Sequence, residues 1–274
     1  MLIGQKHNRE IIDTWFEKNT FPNFILIIGE KGSGKKTLRN YILSKMDIQI
    51  VNVTDNSISS IRDAIDLAIN LNTEAIITFT DIDSMTVGAK NAMLKITEEP
   101  PKGIKFILTA ESEFNIPSTL ISRSVVLKMQ PYTLDELKNF TTESSILEIA
   151  TTPLMCKEFT VEQAKELYSV CKNLVLSMLY RAPGSVIMQS TELLHNKTDD
   201  NKINCEIAWS VIKRLLYKYM QICDIDMGTV SLIVTSVNEC SRQLVRKGIN
   251  QRNAIEQTCL KIREISRGVK NELS

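Results

Sequence analysis

Phe24-Ile25-Leu26-Ile27-Ile28-Gly29-Glu30-Lys31-Gly32-Ser33-Gly34-Lys35-Lys36-Thr37 decides the fold. Five apolar residues in a row are too few for a buried helix and suit a strand covered on both faces. The glycines after them allow a tight curve, and Lys35 opens a run of helix-forming residues. A strand, then GxxxxGK, then a helix is the context of a phosphate-binding loop. There, backbone N–H groups and the positive end of the helix dipole face anionic oxygens. The candidate nucleotide-binding residues are Gly29, Gly32, Ser33, Gly34, Lys35, Lys36 and Thr37. One position departs from the pattern. The hydroxyl that would hold Mg²⁺ belongs directly after the lysine, where Lys36 stands. Thr37 comes one residue later, turned by about 100° on a helix, and is a poor replacement.

Working outward, four more β-rich runs follow: Ile48–Val53, Ala75–Thr80, Lys105–Ala110 and the short Val125–Leu127. Helical stretches separate them at Lys35–Ser44, Ser57–Asn70 and Val87–Glu99. This alternation predicts a parallel sheet covered by helices. After Pro131 no strand pattern recurs. Thr133-Leu134-Asp135-Glu136 and Thr160-Val161-Glu162-Gln163 are capping boxes that open helices. The second run extends to about Leu179, and Arg181–Ser185 breaks it before one more short helix. His195–Lys202 is polar and reads as a linker. Beyond it, Ile207, Val211 and Leu215, then Val230, Ile233, Val234, Val237 and Leu244, mark amphipathic helices, with a third near Asn250–Arg267. The expected layout is an α/β P-loop domain over 1–132, a small helical lid over 133–196 and an all-α C-terminal domain over 197–274.

The 274 residues are 43% hydrophobic and 24% charged, with a net charge of +1. That balance excludes a disordered tail and a protein that coats nucleic acid by bulk charge. No apolar run reaches membrane-spanning length, and the N-terminus lacks the layout of a signal peptide. None of the six cysteines forms a CxxC pair, so they read as small buried hydrophobes in a reducing compartment. Two distant histidines, His7 and His195, give little to a metal site or a triad. No metal site is expected. Trp15 and Trp209 read as core residues. The basic C-terminal residues Lys213, Arg214, Lys218, Arg242, Arg246, Lys247, Arg252, Lys261, Arg263, Arg267 and Lys270 read as solvated helix faces.

A second block carries more information. Thr80-Asp81-Ile82-Asp83-Ser84-Met85-Thr86, followed by Asn91-Ala92-Met93-Leu94-Lys95-Ile96-Thr97-Glu98-Glu99-Pro100-Pro101, resembles the acidic DExx box and the NALLKxLEEPP run of AAA+ clamp-loader subunits. Ile3-Gly4-Gln5, Phe21-Pro22-Asn23 and Leu120-Ile121-Ser122-Arg123-Ser124 are similar to the family's opening and its SRC motif. Cys240–Leu244 and Asn250–Glu256 resemble its collar helices. The nearest resemblance is to delta-prime subunits of bacterial DNA polymerase III, with replication factor C small subunits and phage clamp loaders behind them.

The resemblance implies an AAA+ domain, a lid and a collar that assembles into a ring. It also exposes departures. Thr80 stands where the Mg²⁺-organising Asp belongs, and Asp81 where the water-activating Glu belongs. Asp83 completes this degenerate Walker B set. Ser185, after Pro183-Gly184, replaces the lid's phosphate-binding arginine. Phosphoryl transfer needs metal, water and charge clamps together, so no intrinsic ATPase is expected; the resemblance implies a component of a polymerase complex with no polymerase activity of its own. ATP or ADP is expected to bind without turnover, with Mg²⁺ held weakly or not at all. Arg123 matches the family's arginine finger, which acts on a neighbouring subunit's γ-phosphate. No cysteine lies between Ser44 and Ser57, so the zinc module of many bacterial relatives is expected to be absent. The implied partners are ATPase and delta-type subunits in a hetero-pentameric ring, the sliding clamp and primed DNA, in the cytoplasm. Two rivals stand beside this expectation: an ATP-hydrolysing clamp-loader subunit of phage or replication factor C type, and a non-replicative AAA+ scaffold or regulator.

Overall fold

The computed structural model describes residues 2–53, 55, 57–70, 74–98, 100–195, 205–222, 225–245 and 248–267. Glu99, Cys223, Arg246, Lys247, Lys270, the 196–202 part of the expected linker and the side chain of His195 lie outside the described residues. Contacts divide the chain into two compact units. One is Met1–Asn139 with Thr152–Leu154, and the other is Phe140–Thr151 with Met155–Ser274. The helices assigned by sequence to the lid and to the collar share the second unit, apart from the short turn of helix that begins at Leu134.

In the first unit, helix α1 (Lys6–Glu17) precedes strand β1 (Phe24–Ile28) and α2 (Lys35–Leu43). Then follow β2 (Gln49–Val53), α3 (Ile58–Asn70), β3 (Ala75–Phe79), α4 (Val87–Glu98), β4 (Ile104–Ala110), α5 (Ser118–Ser122), β5 (Val125–Lys128) and α6 (Leu134–Leu137). The five strands form one parallel sheet in the order β2-β3-β4-β1-β5. The phosphate-loop strand β1 therefore lies between β4 and β5, and the strand that ends at the acidic box is separated from it by β4.

Strand periodicity divides the core into two layers. Phe24, Leu26, Ile28, Ile77, Phe79, Phe106 and Leu108 face one side, packed with Ile61, Ala89, Met93 and Leu120 from α3, α4 and α5. Ile25, Ile27, Ile76, Ile107 and Leu127 face the other, with Ile12, Leu38 and Ile42 from α1 and α2. Phe24 and Phe106, paired in register, stack with ring centroids 4.6 Å apart. Every residue of β1 and of β3 is buried, which is why β1 reads as an unbroken apolar run and β3 as one interrupted by Thr78 alone.

The N-terminus is tied to the sheet by a side chain acting as backbone. Gln5 is buried; its Nε2 donates to Gln130 O at 2.8 Å, and its Oε1 accepts from Gln130 N at 2.8 Å. Asn8 Nδ2 donates to Gln5 Oε1 and to Lys128 O, both at 3.0 Å.

The second unit is helical among the described residues: α7 (Ser144–Ile149), α8 (Pro153–Glu158, with Pro153 and Leu154 grouped with the first unit), α9 (Val161–Tyr180), α10 (Pro183–His195), α11 (Cys205–Ile222), α12 (Met227–Leu244) and α13 (Gln251–Ile265). The Thr160–Gln163 box caps α9 reciprocally, as the Thr133–Glu136 box caps α6. Ala164, Leu167, Cys171, Leu174, Val175 and Met178 give α9 a buried stripe at helical spacing. Trp209 is buried and donates from Nε1 to Ser241 Oγ at 2.9 Å, joining α11 to α12. Cys156, Cys171, Cys205, Cys240 and Cys259 are free thiols, and burial pushes the Cys240 thiol up to about 11. Arg214 and Arg263 depart from the expected solvated face: they donate to the Ala150 and Arg181 carbonyls. Lys218, Arg242, Arg252, Lys261 and Arg267 are exposed.

Candidate functional site

The phosphate-loop residues come together as the spacing requires. Gly32 (φ 78°) and Gly34 (φ 92°) adopt the left-handed conformation, where a Cβ would be strained. That places Lys35 at the first position of α2 and leaves the N–H groups of Lys35, Lys36 and Thr37 with no acceptor inside the helix. Helix geometry thus supplies an anion site. Lys36 and Thr37 are both exposed.

Lys35 is not extended from the loop. Its Nζ donates to Gly29 O at 2.7 Å and to Glu30 O at 3.2 Å. Burial lowers its affinity for a proton, while the carboxylates of Glu111, Asp81 and Asp83 pull the other way. The net shift is downward from the ordinary lysine value.

Neighbouring side chains fill the space the glycines leave. A Cβ on Gly29 would come within 2.6 Å of Met129, one on Gly34 within 3.0 Å of the Tyr132 hydroxyl, and one on Gly32 would run into Leu154. Tyr132 Oη donates to Ser33 O at 3.0 Å, and burial raises the Tyr132 phenol. Ser33 Oγ is buried with no hydrogen-bond partner. The residues therefore fit a nucleotide phosphate: an unused hydroxyl, a lysine and outward N–H groups surround one loop. They fit a tightly held Mg²⁺ poorly, because neither Lys36 nor Thr80 supplies a charged or correctly placed oxygen.

The acidic box follows β3. Thr80 is half-buried, and Asp81 is exposed in the left-handed conformation at φ 54°. Asp81 N donates to Thr109 Oγ1 at 3.2 Å. Asp83 Oδ2 accepts the Glu111 N–H at 3.1 Å, so one carboxylate oxygen holds the turn after β4. Its Oδ1 is buried without a partner. Next to this box, Thr78 Oγ1 donates to Asn52 Oδ1 at 2.6 Å, linking β3 to β2.

Sequence reasoning missed Glu111, Met129 and Tyr132 as neighbours of the loop. Glu111 had a signal, as the first residue after the apolar run of β4. Met129 and Tyr132 had none, since only the fold brings the exit of β5 to Gly29 and Gly34.

Arg123 lies apart from the loop, at the C-terminal end of α5, just before the edge strand β5. Its side chain is 38% exposed. Nη1 donates to Thr119 O at 3.1 Å, and Nη2 lies 3.4 Å from Glu98 Oε1. Ser185 is half-buried near the start of α10, in the second unit. No cluster of metal-ligating side chains occurs among the described residues, and no helix there is long and apolar enough to cross a membrane.

Comparison with known proteins adds to this geometry. Residues 14–133 match the family described as DNA polymerase III, delta subunit. The chain is 24% identical over 152 residues to the DNA polymerase III subunit tau of Bacillus subtilis, covering 44% of this chain and 27% of that protein. It is 23% identical over 169 residues to the subunit gamma of Buchnera aphidicola from Schizaphis graminum, covering 51% and 47%. The chain thus spans less than half the length of these relatives. Among solved structures, a DNA polymerase III gamma subunit-related protein of Thermotoga maritima aligns over 93% of this chain and 99% of that one, at 15% identity and a TM-score of 0.43. The RuvB Holliday junction branch migration motor of the same organism aligns over 86% and 77%, at 15% identity and 0.41. The matched span, residues 14–133, takes in the whole parallel sheet, with β4 between β1 and β3, and the phosphate loop that follows β1; over that span the chain is similar to the family described as DNA polymerase III, delta subunit.

Proposed function

We propose that this chain is a delta-prime-like subunit of a clamp loader, which completes a neighbouring subunit's ATPase site and does not turn over nucleotide itself. One observation carries the reading: Arg123 is exposed at a sheet edge with donors to spare, while Thr80 brings no charge to the chain's own metal position. A guanidinium presents five N–H donors in a fork that matches phosphate. Offered to a neighbour's γ-phosphate, it stabilises charge that develops in the transition state.

At its own loop, the N–H groups of Lys35, Lys36 and Thr37 and the Ser33 hydroxyl would hold the phosphates of ATP or ADP. The Lys35 amine would exchange the Gly29 and Glu30 carbonyls for phosphate oxygen. Lys36 adds a positive charge where a divalent cation would sit, and Asp81, one methylene shorter than Glu, places a water differently. The family match and the relatives named tau and gamma support a place in a hetero-pentameric ring of ATPase and delta-type subunits. In it the ring would open the sliding clamp on primed DNA in the cytoplasm, and this subunit needs no zinc.

A second reading, an ATP-hydrolysing subunit, draws on the complete GxxxxGK loop and on the unpartnered Asp83 Oδ1. The test is ATP turnover by the reconstituted loader with clamp and primed DNA, with wild type and Arg123→Ala, and with the isolated chain as control. The expected result is an inert control and a loader slowed tenfold or more by Arg123→Ala, about 1.4 kcal/mol at least. Turnover by the isolated chain, with no effect of Arg123→Ala on the loader, would overturn the proposal in favour of the second reading.

A further inference from the structure

The sequence points to Arg123 and assigns no role to Glu98. The two side chains meet. Arg123 Nη2 lies 3.4 Å from Glu98 Oε1, while Nη1 is tied to Thr119 O of its own helix at 3.1 Å. The first contact joins the C-terminal ends of α4 and α5. Glu98 is the last residue of α4, where a carboxylate opposes the negative end of the helix dipole. A cation beside it offsets that penalty.

We infer that Glu98 is a dock for the Arg123 guanidinium. It parks the side chain between turnovers and yields it to the triphosphate of a neighbouring subunit. The inference rests on the reading of Arg123 as a residue that acts in trans. Three physical points support it. The pair is a single contact between side chains that are 38% and 58% exposed, so it is easily exchanged. An arginine left free would surrender its full rotamer freedom on meeting phosphate, and a docked one has already lost part of it. A γ-phosphate, with more charge and several oxygens, accepts a bidentate fork and displaces one carboxylate oxygen.

The sign of the expected effect follows from charge. Glu98 puts a negative charge beside the position that an incoming polyanion must take, so neutralising it strengthens the pull of Arg123. Glu98→Gln keeps the shape and the acceptor oxygen and removes only the charge. Glu98 is therefore a positioning residue that acts through Arg123.

The experiment measures steady-state ATP turnover by the reconstituted loader containing wild type, Glu98→Gln, Arg123→Ala or the double variant. Glu98→Gln is expected to lower the KM for ATP about two- to fivefold at low salt, with a smaller change in kcat. The shift is expected to shrink at high salt and to vanish in the Arg123→Ala background. A companion measurement, ¹⁵N relaxation of the Arg123 side chain in the isolated chain, is expected to show a restrained guanidinium in wild type and a freer one in Glu98→Gln. Unchanged relaxation, or an unchanged KM while Arg123→Ala slows the loader, overturns the dock and leaves the trans reading standing. An Arg123→Ala loader with full activity overturns both.

Discussion

The phosphate loop and the Arg123 corner belong to the same sheet and treat their cations in opposite ways. Lys35 is 8% exposed, and its ammonium is spent on the carbonyls of its own loop. Arg123 stands at the edge, with one long contact to a carboxylate and one to a carbonyl. The loop is crowded by Met129, Tyr132 and Leu154, and the corner is open. The difference teaches how a nucleotide-binding fold divides its labour. On the proposed reading, the loop that would hold the chain's own nucleotide does without metal chemistry, while the corner that faces outward keeps its charge.

The largest expected effect separates the two cations. Arg123→Ala is expected to act on loader turnover, by at least tenfold and by as much as about 10³–10⁵ if the finger carries its full weight. Lys35→Ala is expected to act instead on ADP binding by the isolated chain, weakening it about tenfold in calorimetry through loss of one charge-assisted contact. If Lys35→Ala also abolished Mg²⁺-dependent hydrolysis by the isolated chain, the contrast between loop and corner would collapse.

Next in size is the sheet that both regions share. Phe106 is fully buried and stacked on Phe24, so Phe106→Ala should cost about 3–5 kcal/mol in urea unfolding. A loss under 1 kcal/mol would mean that the two regions do not share a tightly packed sheet. Gln5→Ala leaves the Gln130 N–H and C=O without their partner and should cost about 1–3 kcal/mol in the same measurement.

The smallest expected effect lies on α1. The Tyr41 hydroxyl donates to Asp13 Oδ1 at 2.6 Å, and Lys45 Nζ sits 2.9 Å from the same oxygen. Tyr41 first and Lys45 second hold the Asp13 carboxyl below its ordinary value. A depressed carboxylate stabilises the fold above the ordinary value near pH 4, and that stability is lost as pH falls through the depressed one. Asp13→Asn should therefore cost less than about 1 kcal/mol at pH 7 for so exposed a pair, and the difference from wild type should close as pH falls through the depressed value.

Much of the architecture was legible because it is written in neighbouring residues. The five β-rich runs match β1 to β5 to within one residue at each end, and the two capping boxes open α6 and α9. Buried parallel strands are unbroken apolar runs, and glycine–lysine turns are local. Helix α1 was not foreseen. Its Ile12, Trp15 and Phe16 lie at helical spacing, but its N-cap is Gln5, in the left-handed conformation and with no side-chain cap. That side chain is taken by Gln130, 125 residues away, which no local rule reveals. The same distance limits the site. Gly29 to Lys35 were readable as a unit, whereas Tyr132 reaches Ser33 across 99 residues and Arg123 reaches Glu98 across 25. Chemistry carried by consecutive residues shows in the sequence, and chemistry made by the return of the chain does not.

The pairing of Gln5 with Gln130 has a consequence for observing the protein in solution. A side-chain amide that donates to the C=O and accepts from the N–H of one residue acts as an extra rung of the sheet, supplied from the segment before α1. The Gln130 amide proton is protected from solvent only while that rung is in place. Its hydrogen–deuterium exchange rate is therefore a gauge of whether the segment before α1 is seated, readable at a single position, two residues beyond the end of β5.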